Sequence, residues 1–392
     1  MRIKNKTFVN LNSERIFSIM SRRKFISDSV KAAAFLAAAP LTSFAAVPTT
    51  ESIETARKDL SGKMQRDKFF FPAKFAMGGT AAENIFKENS HLQIEAAFEA
   101  AWNAGLRYYD TSPFYGMGLS ERRLGHFLYG KDRKEYLLST KVGRIMDPEP
   151  AYKLSPLWCG PLNFKFHYDY TATGARRSVE DSLQRLGVPY LDVAFIHDLS
   201  PDTLGNQYQE YLKIAFKGAM PELIKMREEG IIKGWGLGVN LPNAIVPTIQ
   251  QSDPDFMLIA TKYRLVDHAE VVDNVFPEMK KSGVKGIIGA PLNYGFLAGR
   301  GRFNYGNDIP AEMAAKLKVI EGVTAKFGVD VRTAALQFST APDEVAAVIP
   351  RTSNAIHAIE NIQSISVKIP NEFWAELKKR KIIEQQAAVP KI

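Results

Sequence analysis

The 392-residue chain contains only one cysteine, Cys159, which excludes an intramolecular disulfide. No activating residue pair is evident around Cys159, so we do not expect its thiol to act as a nucleophile. Five of the six histidines show no metal-ligand spacing with carboxylates or with the cysteine, namely His91, His126, His167, His268 and His357. We therefore expect no bound metal.

Two sequence motifs are also missing. No Gly-x-Gly-x-x-Gly fingerprint occurs, and the nearest run, Gly234 to Gly238, is typical of a strand, which disfavours a Rossmann domain. No Gly-x-Ser-x-Gly elbow supports a serine hydrolase. His197 and Asp198 are adjacent in sequence, so at a strand end their side chains are expected to point apart.

Positive charge is concentrated at the N-terminus. The formal net charge is +9, and residues 1–46 hold eight Lys or Arg against Glu14 and Asp28, which leaves +3 for the remainder. This mild excess argues against nucleic-acid binding. A hydrophobic content of 45% with 24% charged residues indicates a soluble globular protein with a full core.

The N-terminal segment is similar to a twin-arginine export signal. Paired arginines in Ser21 to Ile26 precede an apolar stretch from Val30 to Pro40, and small residues at Ser43 to Ala45 precede a cleavage point. The apolar stretch is about half of the ~20 residues that span a bilayer, so stable membrane insertion is not expected. An amphipathic helix of the folded domain is the alternative.

These observations predict an exported, periplasmic protein that uses the twin-arginine export machinery as its partner. We expect a signal at 1–46, a polar linker at 47–68 and one folded domain at 69–392. Translation starts at Met1 or Met20, and the sequence leaves this open.

Short apolar runs alternate with segments of helical period beyond the linker. Eight candidate strands are Lys74–Gly78, Leu106–Asp110, Tyr136–Lys141, Leu191–His197, Gly234–Val239, Phe256–Thr261, Gly286–Ala290 and Ala346–Pro350. Helical patterns between them include His91–Ala104, Ser178–Leu186, Met220–Glu229, Val271–Ser282 and Ala311–Phe327. Eight strands with crossover helices predict an α/β fold, a parallel (β/α)8 TIM barrel.

Four residues with complementary chemistry fall at one end of this barrel. Asp110, Lys141 and His197 close three consecutive candidate strands of the barrel, and Tyr115 follows the first of them in the loop. Active sites of such barrels are built from the loops after the strands, so the four side chains are expected to converge.

The four residue types together make a proton donor for a carbonyl oxygen. A free tyrosine titrates near ~10, and a nearby ammonium lowers this pKa by roughly 1 to 3 units, a role expected of Lys141. An ion pair with Asp110 would fix Lys141, and His197 would orient the substrate oxygen. Tyr115 is then the general acid for reduction and the general base for oxidation.

This constellation and its flanking segments resemble the aldo-keto reductase superfamily, in the branch of aldose 1-dehydrogenases, fucose dehydrogenases and pyridoxal dehydrogenases. The matching segments are Thr111–Gly116, Gly118–Glu121, Ser139–Arg144, Ser178–Leu183 and Ile196–Asp198. The resemblance covers roughly residues 70 to 370. It implies NAD(P)-dependent hydride transfer between nicotinamide and a carbonyl or hemiacetal carbon, with an aldose, aldehyde or ketone as substrate.

Two other interpretations remain open at this point. The barrel is alternatively a non-catalytic sensor or partner protein that keeps the cofactor as a structural ligand, or a redox-neutral sugar enzyme with tightly bound NAD. Retention of all four catalytic residue types argues against a pure binding protein.

The resemblance also implies a cofactor site, mainly in the loops after the seventh and eighth strands. The implied residues are Gly79, Thr80, Asn240, Pro291, Leu292, Asn293, Gly295, Arg351, Thr352, Glu360 and Asn361. Asn240 would meet the carboxamide, and Glu360 with Asn361 the adenine. Arg351 would bind the 2′-phosphate, which favours NADP with NAD as the alternative. Arg351 is otherwise a surface charge.

The chain departs from the family pattern at three positions. His357 replaces a frequent arginine, Ala260 replaces a glutamine that contacts the carboxamide, and Gly289 replaces a stacking tyrosine. Tyr263 is a candidate substitute for the missing ring.

The connection from 144 to 172 is unusually long and rich in aromatic residues. Loops of this length are often functional, and Trp158 and Phe164 are expected to bind the substrate from above the barrel mouth. The alternative is a satellite cluster that packs on the barrel rim.

Overall fold

Eight parallel strands form the centre of the fold, which is here a computed structural model. The described residues contain these eight and two further strands, the fourth and fifth in chain order, which form a separate hairpin. In chain order the strands are β1 (Met77–Gly78), β2 (Tyr108–Asp110), β3 (Leu137–Val142), β4 (Arg144–Pro148), β5 (Phe164–Tyr168), β6 (Leu191–His197), β7 (Ile232–Val239), β8 (Phe256–Ala260), β9 (Lys285–Gly289) and β10 (Val345–Ile349). Hydrogen-bonded neighbours follow the order β1-β2-β3-β6-β7-β8-β9-β10.

The sheet closes on itself. Ala76 N donates to Val348 O at 2.9 Å and Val348 N donates to Lys74 O at 3.0 Å, so the last strand joins the segment that leads into β1. The predicted α/β TIM barrel is therefore confirmed.

Helices surround the barrel. They are α1 (His91–Asn103), α2 (Leu119–Leu128), α3 (Ala172–Leu186), α4 (Pro201–Leu204), α5 (Tyr208–Lys217), α6 (Ala219–Glu228), α7 (Ile245–Gln251), α8 (Phe276–Ser282), α9 (Ala311–Phe327), α10 (Val331–Thr340), α11 (Ala355–Gln363) and α12 (Asn371–Lys379). A π-helical turn at Val271–Val275 precedes α8, so the helix predicted from 271 is regular only from Phe276.

The structure describes residues 68–71, 73–151 and 158–391, all within a compact unit that spans Asp59–Ile392. The predicted signal at 1–46 and all but the last residue of the linker lie outside the described residues. None of the helices in these described ranges has the length and apolar character needed to cross a membrane.

The barrel strands are apolar because helices cover their outer face and other strands' side chains fill the interior. All seven residues of β6 are buried. The lower interior is filled by aromatic rings, with Phe71 stacked on Phe256 at 5.0 Å. Gly236 in β7 allows β8 to approach closely, since a Cβ there would lie 1.7 Å from the Phe256 carbonyl oxygen.

The long connection after β3 contains a hairpin that the sequence did not predict. Strands β4 and β5 pair antiparallel, with Arg144 opposite Tyr168 and Pro148 opposite Phe164. The hairpin is tied to the barrel by Tyr170, whose hydroxyl donates to the His197 carbonyl oxygen at 2.9 Å. Arg144 and the hairpin aromatics are thereby held beside the carboxyl end of β6.

Candidate functional site

The barrel brings the four predicted catalytic residues to one cavity at the carboxyl ends of the strands. This mouth cavity has a volume of about 440 Å³, and Asp110, Tyr115, Lys141 and His197 all line it. Lys141 Nζ donates to Asp110 Oδ2 at 2.7 Å, and both side chains are buried. Lys141 Nζ lies 4.8 Å from the ring centre of Tyr115, which is 5.9 Å from the ring centre of His197.

Buried hydrogen bonds fix the carboxylate and the ammonium. Ser139 Oγ donates to Asp110 Oδ1 at 2.7 Å, and Lys141 Nζ donates to the Thr111 carbonyl oxygen at 2.8 Å. These contacts leave little rotational freedom for either side chain, so the ion pair is pre-organised.

The pKa of Tyr115 shifts in the direction opposite to the expectation. Burial raises the pKa of Tyr115 well above its ordinary value, and the Asp110 and Glu83 carboxylates raise it further. The expected lowering by Lys141 is wrong for this structure, because burial disfavours the phenolate and the Asp110 carboxylate, 2.7 Å from the ammonium, offsets much of the ammonium's effect. Tyr115 therefore carries its proton at neutral pH, as a general acid requires.

His197 is neutral in this setting. Burial lowers the pKa of His197 well below its ordinary value, and the nearby Arg144 and Lys141 cations lower it further. Its Nδ1 lies 3.3 Å from Ser112 Oγ. A neutral imidazole can donate a hydrogen bond from its N–H group to a substrate oxygen and so orient that oxygen.

His197 and Asp198 do not point apart, contrary to the expectation. His197 Nε2 lies 3.5 Å from Asp198 Oδ2, because Asp198 has a left-handed backbone with φ of 49° and turns back at the strand end. The resulting Ser112-His197-Asp198 contact is not a hydrolase triad. Ser112 is fully buried, its Oγ accepts a hydrogen bond from Phe114 N at 3.1 Å, and it lines neither cavity.

A longer groove of about 710 Å³ adjoins the mouth cavity, and the two share four lining residues, Ile85, Ala290, Tyr294 and Arg351. Six residues of the implied cofactor set line the groove, namely Pro291, Leu292, Gly295, Arg351, Thr352 and Asn361. Thr80 and Asn240 line the mouth cavity. The structure therefore places eight of the eleven implied residues along one continuous surface.

The other three implied residues make structural contacts and line neither cavity. A side chain at Gly79 would meet Ser120 Oγ at 2.6 Å, so this glycine permits close packing. Asn293 Oδ1 accepts a hydrogen bond from Asn304 N at 2.6 Å. Glu360 is held by Arg332 Nη1 at 2.6 Å and is not directed into the groove.

The groove fits a phosphate-bearing dinucleotide. Arg302 and Arg351 lie over the same Phe86 ring, with guanidinium carbons 4.4 and 5.5 Å from its centre, and Arg300 lines the groove with them. Burial lowers the pKa of Arg302, and the positive charges of Arg351 and Arg300 lower it further. Arg351 Nη1 and Asn361 Oδ1 are buried without a hydrogen-bond partner. Phosphate oxygens are the partners that such guanidinium groups prefer.

The three departures from the family pattern lie where the resemblance implied. Ala260 and Gly289 line the mouth cavity, and His357 lines the groove. Tyr263 does not replace the missing ring, because it is fully buried, stacks on Phe338 at 5.3 Å and lines neither cavity.

The sequence left two interpretations of the aromatic connection open, substrate binding and packing on the barrel rim, and its residues differ in which of the two they fit. Trp158 lines the mouth cavity, whereas Phe164 does not. Both belong to a rim cluster that also contains Ile85, Met117 and Met146. Phe164 is therefore a packing residue behind the cavity wall.

Several lining residues were not found from the sequence. Arg144 is buried, donates to Asp198 Oδ2 at 2.8 Å and lies 4.2 Å from the Phe114 ring centre. Glu83 is 3% exposed and accepts a hydrogen bond from Trp158 Nε1 at 3.2 Å. Tyr294 and Tyr305 pack with ring centres 4.4 Å apart at the cavity edge. Isolated residues in loops carry no spacing signal, and only Arg144 and Tyr294 lay in segments that the resemblance covered, without a role assigned to either.

Away from the cavity, His91, Glu95 and His126 come together on the surface of α1 and α2, which sequence spacing did not reveal. Their candidate ligand atoms lie within 4.8 Å of one another. Ligand atoms around tetrahedral zinc are about 3.3 Å apart, given bonds of about 2.0–2.1 Å. The cluster is thus more open than a formed site, and the expectation of no metal stays a prediction.

Known proteins share both the sequence and the fold. The chain is 33% identical over 320 residues to D-threo-aldose 1-dehydrogenase from a Pseudomonas species, which covers 79% of this chain and 94% of that enzyme. It is 32% identical over 323 residues to pyridoxal 4-dehydrogenase from Microbacterium luteolum, which covers 78% of this chain and 93% of that enzyme.

A solved structure of an aldo-keto reductase from Bacillus halodurans, in its holo form, matches with a TM-score of 0.60 at 22% identity and covers 83% of this chain and 98% of that one. This match supports the barrel fold. The family model "Aldo/keto reductase family" matches residues 74–382. With its four barrel-mouth residues and the adjoining groove, this chain belongs to the aldo/keto reductase family and is an NAD(P)-dependent oxidoreductase.

Proposed function

We propose that the enzyme interconverts an aldose and its C1-oxidised product, with NADP as the preferred cofactor. The observation that carries this proposal is the convergence of Asp110, Tyr115, Lys141 and His197 in a cavity that adjoins a cationic groove. A polyhydroxylated substrate suits this cavity because polar groups, including Glu83 and Arg144, line it.

The four residues divide the work of moving a proton at the substrate oxygen. In reduction the Tyr115 hydroxyl gives its proton to that oxygen, and the neutral His197 imidazole holds the oxygen in place. The Lys141 ammonium, held in place by Asp110, stabilises the negative charge of the phenolate that remains. In oxidation the same phenolate removes the proton from the hemiacetal hydroxyl. When bound, the nicotinamide ring exchanges hydride with the substrate carbon.

The preference for NADP rests on Arg351 and its two neighbours, Arg300 and Arg302. All three residues line the groove, and the positive charges of Arg351 and Arg300 add to the effect of burial in lowering the pKa of Arg302. A 2′-phosphate would supply a balancing negative charge and accept paired hydrogen bonds from a guanidinium group. Arg351 also lines the mouth cavity, which places it where it can equally meet the pyrophosphate.

The aldose class is supported by the relative named D-threo-aldose 1-dehydrogenase, whereas the relative named pyridoxal 4-dehydrogenase is the reason for including pyridoxal in the test. Export through the twin-arginine pathway to the periplasm is part of the proposal and rests on the sequence at 1–46. That pathway transports folded proteins, so the cofactor can be loaded before export.

The test is a sugar panel with purified exported protein. Absorbance of the reduced cofactor is followed with NAD or NADP and D-arabinose, L-galactose, L-fucose, pyridoxal and propanal. We expect cofactor reduction with at least one aldose and a higher kcat/KM with NADP. Product formation without net absorbance change would instead indicate a redox-neutral enzyme. Turnover of pyridoxal or propanal alone would reject the aldose assignment.

A further inference from the structure

The carboxyl group of Glu83 faces the mouth cavity but has no part in the proton transfer described above. Glu83 follows β1 and is 3% exposed, and it lines the same cavity as Tyr115 and Lys141. Buried carboxyl groups are rare unless they are paired or used, because desolvation of the charged form is unfavourable. Glu83 therefore requires an explanation.

The loop that carries Glu83 is held rigidly. Asn84 has a left-handed backbone with φ of 64°, and its Oδ1 accepts hydrogen bonds from Asn89 N at 3.2 Å and Arg123 Nη1 at 2.8 Å. Arg123 also donates to the Ala82 carbonyl oxygen at 2.9 Å. The backbone on both sides of Glu83 is thus fixed by one buried network, so the carboxyl group has a defined position.

Glu83 also lies next to the segment that positions the proton donor. A Cβ at Gly116 would approach the Glu83 carbonyl oxygen to 2.9 Å, so the residue after Tyr115 packs directly on Glu83. The Glu83 charge contributes to the raised pKa of Tyr115 and of Tyr294. The carboxyl group is therefore close to the site where the substrate oxygen must bind.

The carboxyl group has unused hydrogen-bonding capacity. Trp158 Nε1 donates to Oε2 at 3.2 Å, and among the hydrogen bonds of the described residues Oε1 takes part in none. Burial raises the pKa of Glu83 to about 8, although Arg351, the Trp158 hydrogen bond and Lys141 oppose this. At neutral pH the group is mostly protonated and offers one donor and one acceptor to the cavity.

We propose that Glu83, held by Trp158, forms a hydrogen bond to a substrate hydroxyl group near the reacting carbon and so selects hydroxylated substrates over deoxy analogues. This inference rests on the proposed function and names the residue that gives it specificity. A site built to hydrogen-bond a hydroxyl group discriminates against an analogue without it, because the buried polar group is then left unpaired.

The test is a cycle of enzyme and substrate changes. The parent is the best aldose of the panel above, and its 2-deoxy and 3-deoxy analogues are compared in the NADP-loaded enzyme. In the wild type, kcat/KM should fall at least ~10-fold for one analogue, the value of about one good hydrogen bond. In Glu83→Leu, kcat/KM for the parent sugar should fall by a similar factor. In this variant, kcat/KM for the same deoxy analogue should be no more than about twofold below that for the parent sugar.

Two further variants separate hydrogen bonding from structural damage. Glu83→Gln keeps a donor and an acceptor and should recover most of the discrimination that Glu83→Leu loses. Glu88→Gln changes an exposed glutamate on the same loop that lines neither cavity, and it should behave as the wild type. If each deoxy analogue lowers kcat/KM by the same factor in Glu83→Leu as in the wild type, the proposal is overturned.

A binding measurement keeps this inference separate from the proposed function. Dissociation constants of the corresponding alditols are measured by calorimetry with the enzyme loaded with NADPH, because the reduced cofactor cannot accept hydride from an alditol. Weaker alditol binding in Glu83→Leu without any aldose turnover would reject the aldose dehydrogenase but keep the role of Glu83. Aldose turnover with no effect of Glu83→Leu on discrimination or on alditol binding would keep the aldose dehydrogenase and reject the role of Glu83.

Discussion

Lys141 Nζ lies 2.7 Å from Asp110 Oδ2 inside the barrel, where neither side chain reaches bulk water. The pair fixes the ammonium 4.8 Å from the Tyr115 ring centre, but the Asp110 carboxylate also offsets part of the ammonium's field at the phenol. The ion pair that positions Lys141 thus also limits how far Lys141 can lower the pKa of Tyr115. The phenol stays protonated, and the lysine becomes useful when charge develops on Tyr115.

Breaking this ion pair should destabilise the fold. Asp110→Asn leaves Lys141 as an uncompensated buried cation, so we expect a loss of about 3–5 kcal/mol in the free energy of unfolding. Urea denaturation at pH 7 measures this change. Asp110→Asn together with Lys141→Met should be more stable than Asp110→Asn alone, and an unaltered stability of the single variant would contradict the buried pair.

Tyr115→Phe should abolish most turnover and leave the cofactor site intact. Removal of a general acid costs at least ~100-fold in kcat. The dissociation constant for NADP, measured by fluorescence titration, should stay within about twofold of the wild type, because Tyr115 does not line the groove. Wild-type turnover in this variant would reject Tyr115 as the proton donor.

The two reaction directions should differ in their response to pH. Because the pKa of Tyr115 lies well above its ordinary value, the phenolate fraction rises about tenfold per pH unit through the neutral range. Log kcat for oxidation should therefore rise with a slope near one between about pH 7 and 9, whereas reduction should be flat. A plateau of the oxidation rate below about pH 8 would mean that Lys141 does lower the pKa of the phenol in the loaded enzyme.

Glu83 should make the protein less stable as the pH rises. Its folded pKa of about 8 exceeds the unfolded value of 4.5, so the native state binds more protons between these pH values, and its stabilising contribution is lost as the pH rises toward 8. Glu83→Gln does not titrate, so its melting temperature relative to the wild type should increase from pH 5 to pH 8.5. A difference that does not change with pH would contradict the raised pKa of Glu83.

Arg351→Gln should reduce the preference for NADP. Loss of a hydrogen bond to a charged phosphate costs about 1.5–3 kcal/mol, so NADP should bind roughly 10- to 100-fold more weakly. Binding of NAD should weaken much less, which calorimetry with both cofactors can measure. An equal weakening of NAD and NADP would place Arg351 on the pyrophosphate instead of the 2′-phosphate.

Much of the barrel follows from local sequence patterns. The predicted strand at Leu191–His197 and helix at Ala311–Phe327 have the same bounds in the structure, because continuous apolar runs and a helical period are local signals. The β4 and β5 hairpin was missed although Phe164–Tyr168 alternates aromatic with polar residues, because a long excursion separates this short run from the strand that pairs with it. The closure of the barrel by Lys74, Ala76 and Val348 is likewise a long-range contact.

The candidate site was predictable where the fold fixes it and not where loops do. A parallel barrel brings all strand ends to one rim, so the positions of Asp110, Lys141 and His197 follow from the strand assignments. Glu83 and Arg144 enter the same cavity through the paths of an irregular loop and a hairpin. Tyr263, the candidate substitute for the missing ring, lies in the core.

By itself, the sequence determined the alternation of strands and helices and the residue types at the strand ends, because each depends on neighbours along the chain. Only the tertiary structure decided which of those groups carry protons. The pKa values of Tyr115, His197 and Glu83 depend first on burial and then on charges that are distant in sequence. Desolvation is a property of the folded surroundings, so the same residue types in another packing would titrate differently.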